Sequence, residues 1–202
     1  YKINRMNGKI AIFDSFLDKK FLEYLDSLHN NILENVPIEK AQVGFEKDAR
    51  EDDKHRVTQL RWLNKTTPEL YENAQGMLNH YINQANMDWF GFDLSGICRY
   101  VQHTEYNKGS FYEWHQDSFL GESKEGVYER KLSFTVQLSD SDAYTGGDLE
   151  FLDIPSTPEL KEKLRQKGTV IVFPSFLQHR VTEITEGQRH ALVGWREGKQ
   201  WT

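Results

Sequence analysis

His115 and Asp117 stand two residues apart in the stretch FYEWHQDSF, residues 111–119, and that spacing can bring an imidazole and a carboxylate to bear on one metal ion. In an extended strand, residues i and i+2 point to the same face. The pattern alone is weak, because seven His and thirty-one carboxylates in 202 residues give about one His-x-carboxylate pair by chance. The chain holds two, the other being His103 with Glu105. A metal needs a third donor from another strand, and His179 has the context for it: it follows VIVFPSF, where Pro174 ends a buried strand, and opens HRVTEI. Two His and one carboxylate occupy one face of an octahedral ion and leave three positions open. A structural zinc site would instead close its fourth position with Cys or His, and the single cysteine, Cys98, is isolated. Open positions ask for a co-substrate and a cation to hold its far end. Arg189 lies ten residues after His179, across a turn at TEGQ on what reads as a hairpin's return strand, and its planar fork grips a carboxylate bidentately.

The other histidines read differently. His29, His55 and His80 fall in helical or charged stretches and are expected to be solvated or on helix faces. His103 is at most a hydrogen-bonding neighbour of the site. His190 alternates with Arg189 and should face the other side of its strand. None of these five is read as a ligand.

Helices and strands must position these groups. Asp14 or Ser15 can cap a helix carrying Leu17, Phe21, Tyr24, Leu25, Leu28 and Ile32 at helical spacing. Thr67 and Pro68 announce a second, with Leu70, Ala74, Met77, Leu78 and Tyr81 on one face. Between them, residues 44–56 hold nine charged residues in thirteen and read as a solvated loop, or a lid over substrate. From Asp88 onward, short β-rich runs separated by Gly, Asp, Ser or Pro turns indicate a sandwich or barrel-like double sheet. A helix over 159–167, capped by Thr157 and stopped by Gly168, interrupts them. The fold class is therefore mainly β with supporting helices. Residues 1–202 are expected to form one domain, with 1–87 mostly helical support and 88–202 the β core.

Composition limits the rest. With 25 Lys and Arg against 31 Asp and Glu, the net charge of −6 gives no pull toward nucleic acid or an anionic membrane. No apolar run approaches a membrane span, so a cytoplasmic protein is the expectation.

Two His and one carboxylate with open positions is the arrangement of non-haem Fe(II) oxygenases, and four ordered blocks sharpen that likeness. They are Tyr106-x-x-Gly109-x-x-Tyr112-x-x-His115-x-Asp117, RKLSFTVQLSDSDAYTGGDLEF from Arg130 to Phe151, GTVIVFPSFLQHRVTEITEGQR from Gly168 to Arg189, and the GW ending at Trp195. Over residues 96–195 the chain resembles the Fe(II)/2-oxoglutarate-dependent oxygenases of the prolyl 4-hydroxylase-like, PKHD-type branch. The resemblance implies a double-stranded β-helix, or jelly-roll, with N-terminal helices packed on one sheet. It implies that His115, Asp117 and His179 ligate Fe(II), that Arg189 binds the C5 carboxylate of 2-oxoglutarate, and that Tyr106 contacts and Trp195 walls the co-substrate. Gln137 stands where prolyl hydroxylases often carry a Tyr that helps hold that carboxylate. Fe(II), 2-oxoglutarate and O2, with ascorbate as a further candidate, are the implied cofactors, and succinate and CO2 the co-products. Because halogenating members usually lack the carboxylate ligand, Asp117 points to hydroxylation. The substrate expected is a prolyl residue in a peptide or protein, contacted by residues 44–56 and 118–129. The alternatives are a free amino acid or other small molecule and, more remotely, a non-catalytic jelly-roll binding module. Gly146 and Gly147 are read as a tight turn, and Tyr112 and Trp114 as facing away from His115.

Overall fold

The structure is a computed structural model that describes residues 3–6, 9–41, 52–95, 99–118, 120–123 and 126–200, with backbone alone for 3–6, 120–123, 126 and 127. Along the chain, strands β1 (Ile3–Met6) and β2 (Ile10–Phe13) precede helix α1 (Lys19–Asn35). Strands β3 (Glu39–Lys40), β4 (Arg56–Val57) and β5 (Gln59–Trp62) lead into α2 (Pro68–Ala85). There follow β6 (Leu94–Ser95), β7 (Val101–Tyr106), β8 (Phe111–His115), β9 (Leu120–Ser123), β10 (Gly126–Gln137), β11 (Tyr144–Gly146) and β12 (Leu149–Phe151). Helix α3 (Pro158–Arg165) then separates these from β13 (Val170–Pro174), β14 (His179–Val181), β15 (Ile184–Gly187) and β16 (Arg189–Gly198).

The major sheet runs β1-β2-β13-β10-β16-β7-β5-β3, with β6 on β16 and β9 on β10; the minor sheet runs β12-β14-β8-β4, and β11 pairs with β15. Alternation along the strands of the major sheet feeds two cores. Ala11, Phe13, Val170, Val172, Leu132, Phe134 and Val136 face the helices, where Leu25, Leu28, Ile32, Leu78 and Ile82 meet them. Ile10, Ile12, Ile171 and Phe173 face the other way, toward Leu149, Phe151 and Val181 of the minor sheet. This is the two-faced burial that a sheet covered on both sides requires. The first half of the chain is thus not only helical support: β1 to β5 extend both sheets, because IAIF and QLRW are short extended runs with apolar residues to bury.

Helix α1 starts later than its apolar spacing suggested. The Asp18 carboxylate, rather than Asp14 or Ser15, accepts from the backbone N–H of Lys20 at 3.0 Å and Phe21 at 3.2 Å. Ser15 and Leu17 lie in a short 3-10 turn instead, Ser15 buried with its hydroxyl 2.8 Å from that of Tyr81. Helix α2 begins at Pro68 after Thr67, as read, though without a side-chain cap bond. Helix α3 is capped by Thr157 and ends at Arg165.

Close approach of α2 to the sheet depends on Gly194. A Cβ there would overlap Leu78 Cδ2, a side chain with no exposed surface. Gly194→Val should therefore lower the thermal unfolding midpoint by on the order of 5 °C, from overpacking of about 1–3 kcal/mol. A midpoint unchanged within a degree would mean that Leu78 and α2 relax freely.

Candidate functional site

β8 and β14 are neighbours in the minor sheet, and His115 and His179 are direct partners across them. Their rings lie 4.2 Å apart. Each ring places Nδ1 against the carbonyl two residues earlier, Glu113 O at 2.7 Å and Leu177 O at 2.9 Å. A carbonyl only accepts, so each Nδ1 carries the proton and each Nε2 is left with its lone pair. Both Nε2 atoms face Asp117: His115 is 3.8 Å from Oδ1 and His179 is 3.6 Å from Oδ2.

Asp117 lies two residues beyond the end of β8, so strand alternation is not what aims it. Its backbone N–H donates to Ser175 O at 2.8 Å, and its Oδ2 accepts from the Ser133 hydroxyl of the facing sheet at 2.7 Å. Burial pushes the carboxyl up, but the His179, His115 and Arg130 charges and the Ser133 hydroxyl outweigh it and hold it at about 2. Burial, reinforced by His179, lowers His115 to about 3. A neutral imidazole beside an ionised carboxylate is the protonation state that a divalent cation requires. The donor atoms of His115, Asp117 and His179 all lie within 4.8 Å of one another, so a set of two nitrogens and one oxygen can hold one ion.

Tyr112 departs from the alternation read in the sequence. Between Tyr112 and His115 there are three residue steps, against two between their partners Val181 and His179, so β8 carries one extra residue. That bulge turns Tyr112 to the same side as His115, and the rings stack with centroids 3.5 Å apart and planes 12° apart. The Arg56 guanidinium lies 4.4 Å from the Tyr112 centroid, and burial raises the phenol to about 12. Trp114, by contrast, lies under the Arg180 guanidinium, 4.7 Å from its centroid.

A cavity of about 730 Å³ opens between the two sheets over these groups. Arg189, Tyr106 and Trp195 line it together with His115, Asp117 and His179. Gln137 does not: it lies two residues beyond Thr135, at the end of β10, where Gln137 N donates to Thr169 O and Gln137 O accepts from Gly168 N. Its side-chain Nε2 is buried with no hydrogen-bond partner among the described residues. Arg189 is 3% exposed, pairs in register with Tyr106 and holds its guanidinium 5.2 Å from that ring's centroid. It does not share a hairpin with His179. β15 leaves the minor sheet to pair with β11, and β16 belongs to the major sheet, so the two residues face each other across the cavity. Gly147, with φ +66°, closes the turn beside Arg189, whose Cδ would be 3.2 Å from an added Cβ.

Arg130 also lines the cavity, its guanidinium 3.9 Å from the Trp195 centroid. Burial lowers it to about 10, against the opposing pull of Asp117 and Glu197. Counting alternately back from Ser133 would aim Lys131 into the cavity, but a register shift between Arg130 and Leu132 aims Arg130 there instead. Neither bulge leaves a mark in the sequence. Of the charged stretch 44–56, residues 44–51 lie outside the described residues, as does Cys98. The end of that stretch is not a solvated loop: Arg56 is buried, and β4 pairs with β8. In 118–129, residues 119, 124 and 125 also fall outside, while Ser118 reaches the cavity and donates to Glu129 at 2.8 Å. No helix among the described residues is long and apolar enough to cross a membrane.

Comparison with known proteins bears on this arrangement. Residues 101–197 match the 2OG-Fe(II) oxygenase superfamily. A PKHD-type hydroxylase of Synechococcus sp. (strain CC9311) is 33% identical over 135 residues, 67% of this chain and 54% of the relative. Another, of Hyphomonas neptunium, is 34% identical over 88 residues, 44% of this chain and 38% of the relative. The chain thus spans about half the length of such relatives, or less. A Pseudomonas putida prolyl-4-hydroxylase superposes with a TM-score of 0.65 at 18% identity, covering 95% of this chain and 94% of that one. A Trichoplax adhaerens prolyl hydroxylase, solved with a hypoxia inducible factor peptide fragment, gives 0.66 at 16% identity, covering 94% and 83%. The fold is the double-stranded β-helix of these enzymes.

Proposed function

Because the chain belongs to the 2OG-Fe(II) oxygenase superfamily, in its PKHD-type, prolyl-hydroxylase-like branch, we propose that it hydroxylates a C–H bond of a prolyl residue in a peptide or protein. The observation that carries the proposal is the facing of two unlike groups across one cavity, the His115, Asp117 and His179 donors on one wall and the buried Arg189 on the other. His115 Nε2, His179 Nε2 and an Asp117 oxygen would hold Fe(II). When bound, Fe(II) and 2-oxoglutarate supply with O2 the oxidation of C–H to C–OH, releasing succinate and CO2.

The chain's own residues do the rest. Ser133 fixes the Asp117 carboxylate by its hydrogen bond, and the Glu113 and Leu177 carbonyls fix the imidazole tautomers. Arg189 would grip the far carboxylate of 2-oxoglutarate, with Tyr106 alongside it and Trp195 closing the wall. The N-terminal strands extend the same sheets, so we read residues 1–202 as one catalytic unit. A prolyl peptide is favoured because the Trichoplax neighbour was solved with a peptide. A second reading, a free amino acid or other small acid, is favoured by Arg130, a half-buried second arginine lining the cavity that a substrate carboxylate could meet.

The test is succinate formation from 2-oxoglutarate with added Fe(II), with ascorbate present to keep the iron reduced. Proline-rich peptides and free amino acids would be screened by mass for one added oxygen atom. No succinate with any candidate, together with an unfolding midpoint indifferent to Mn(II) plus 2-oxoglutarate, would sink the oxygenase reading.

A further inference from the structure

A second cluster of imidazoles lies on the opposite face of the major sheet, beneath α1. Arg189 and His190 are neighbours on β16, and where Arg189 faces the cavity, His190 meets His103 of β7 and His29 of α1. The three ring centroids form a triangle with sides of 4.7, 5.2 and 5.2 Å. We propose that His29, His103 and His190 form a second metal site, taking a borderline divalent cation such as Zn(II) on three imidazole nitrogens with a solvent molecule in the fourth position.

Four observations carry it. First, one nitrogen from each ring lies within 4.8 Å of the other two, and His103 Nε2 is 3.3 Å from His190 Nδ1. That separation is long for a hydrogen bond, but it matches the roughly 3.3–3.4 Å edge of a tetrahedron with Zn–N bonds of about 2.0–2.1 Å. The His29 ring, whose nitrogen is within 4.8 Å of the other two, would turn inward to close the triangle.

Second, the tautomer is set for ligation. His190 Nε2 lies 2.8 Å from the Gln188 Oε1 acceptor, so Nε2 carries the proton and Nδ1 presents its lone pair to the cluster. Gln188 Nε2 in turn donates to Glu105 at 3.0 Å and to Asn107 at 2.7 Å, which fixes the amide orientation.

Third, the cluster is not a closed hydrogen-bond network: His29 Nε2 and His103 Nδ1 are buried with no partner among the described residues. Fourth, burial lowers all three imidazoles, His103 well below its usual value and His190 to about 4, so they are neutral and able to ligate at neutral pH. The charges around them are balanced, because Arg61 pairs with Glu105 and Lys167 with Asp26. His29 retains some exposure, which leaves solvent a route to the fourth position.

Zinc stoichiometry on chelator-stripped protein tests this. The native chain should take two equivalents, and Asp117→Ala/His179→Ala should take one. Adding His29→Gln to that variant should abolish the remaining equivalent. Cobalt(II) bound to Asp117→Ala/His179→Ala should show the intense visible absorption of a four-coordinate, nitrogen-ligated ion, a reading that leaves all three histidines in place. The proposal is overturned if Asp117→Ala/His179→Ala binds no zinc, if its residual equivalent survives His29→Gln, or if its cobalt spectrum is that of a six-coordinate ion. None of these readings depends on turnover, so they stand apart from the outcome of the oxygenase assay.

Discussion

Asp117→Ala should cut 2-oxoglutarate-dependent succinate formation by more than about a hundredfold. Removing a residue that merely orients a metal ligand costs roughly 10–100-fold in affinity or activity, and Asp117 would be a ligand itself. Its carboxylate is the only anionic donor in the set, so the variant would leave two neutral imidazoles to hold a divalent ion. It would also remove one of the two carboxylates that act on Arg130, leaving Glu197, and the acceptor that the Ser133 hydroxyl meets at 2.7 Å. The unfolding midpoint of the metal-free variant has to be measured alongside, to separate loss of the ion from loss of the fold. Retention of a tenth or more of native turnover would exclude Asp117 as a ligand.

Arg189→Ala should raise the KM for 2-oxoglutarate at least about thirtyfold while leaving the Mn(II) affinity of the triad nearly unchanged. Truncating one partner of a buried, hydrogen-bonded charge pair typically costs about 2–5 kcal/mol, and each 1.4 kcal/mol is a factor of ten. Arg189 takes no part in the bonds that hold the donors: Asp117 is held by Ser133 and Ser175, and the imidazoles by backbone carbonyls. Equal loss of metal and co-substrate affinity would mean that the arginine braces the fold. Substitution by Lys should recover only part of the affinity, because an ammonium cannot make the paired contact of a guanidinium.

The two histidines of the triad could be read from the sequence because they sit in runs whose type was plain: His115 ends β8, and after the buried strand VIVFP His179 opens the next, whereas Asp117 lies beyond β8 and is aimed by Ser175 and Ser133. Arg189, Tyr106 and Trp195 reach the same cavity for the same reason. What the sequence concealed was which strands pair. Ten residues between His179 and Arg189 suggested a hairpin, and the intervening strand instead crosses to β11, placing the two residues on opposite sheets. The parity of Tyr112 and Arg130 was hidden for a second reason, since a one-residue bulge reverses every alternation count beyond it and has no composition of its own. The third omission was His29. Helical spacing places it on a face of α1, but only the packing of that face on β7 and β16 shows that three histidines from distant segments converge.

The pairing of β2 with β13 sets a timetable for synthesis. Ile12 and Ile171 are partners in that ladder, about 160 residues apart, and ribosomes add about 5–20 residues per second. For on the order of 10–30 s, the nascent chain therefore carries an N-terminal strand pair whose inner edge is unpaired. Over the same interval, the Leu25, Leu28 and Ile32 stripe of α1 lacks the Val170 and Val172 that complete its core. Such edges and stripes are what chaperones bind and what drives misassembly of nascent chains, so the yield of this fold should depend on elongation rate and holdase supply more than its finished stability would suggest.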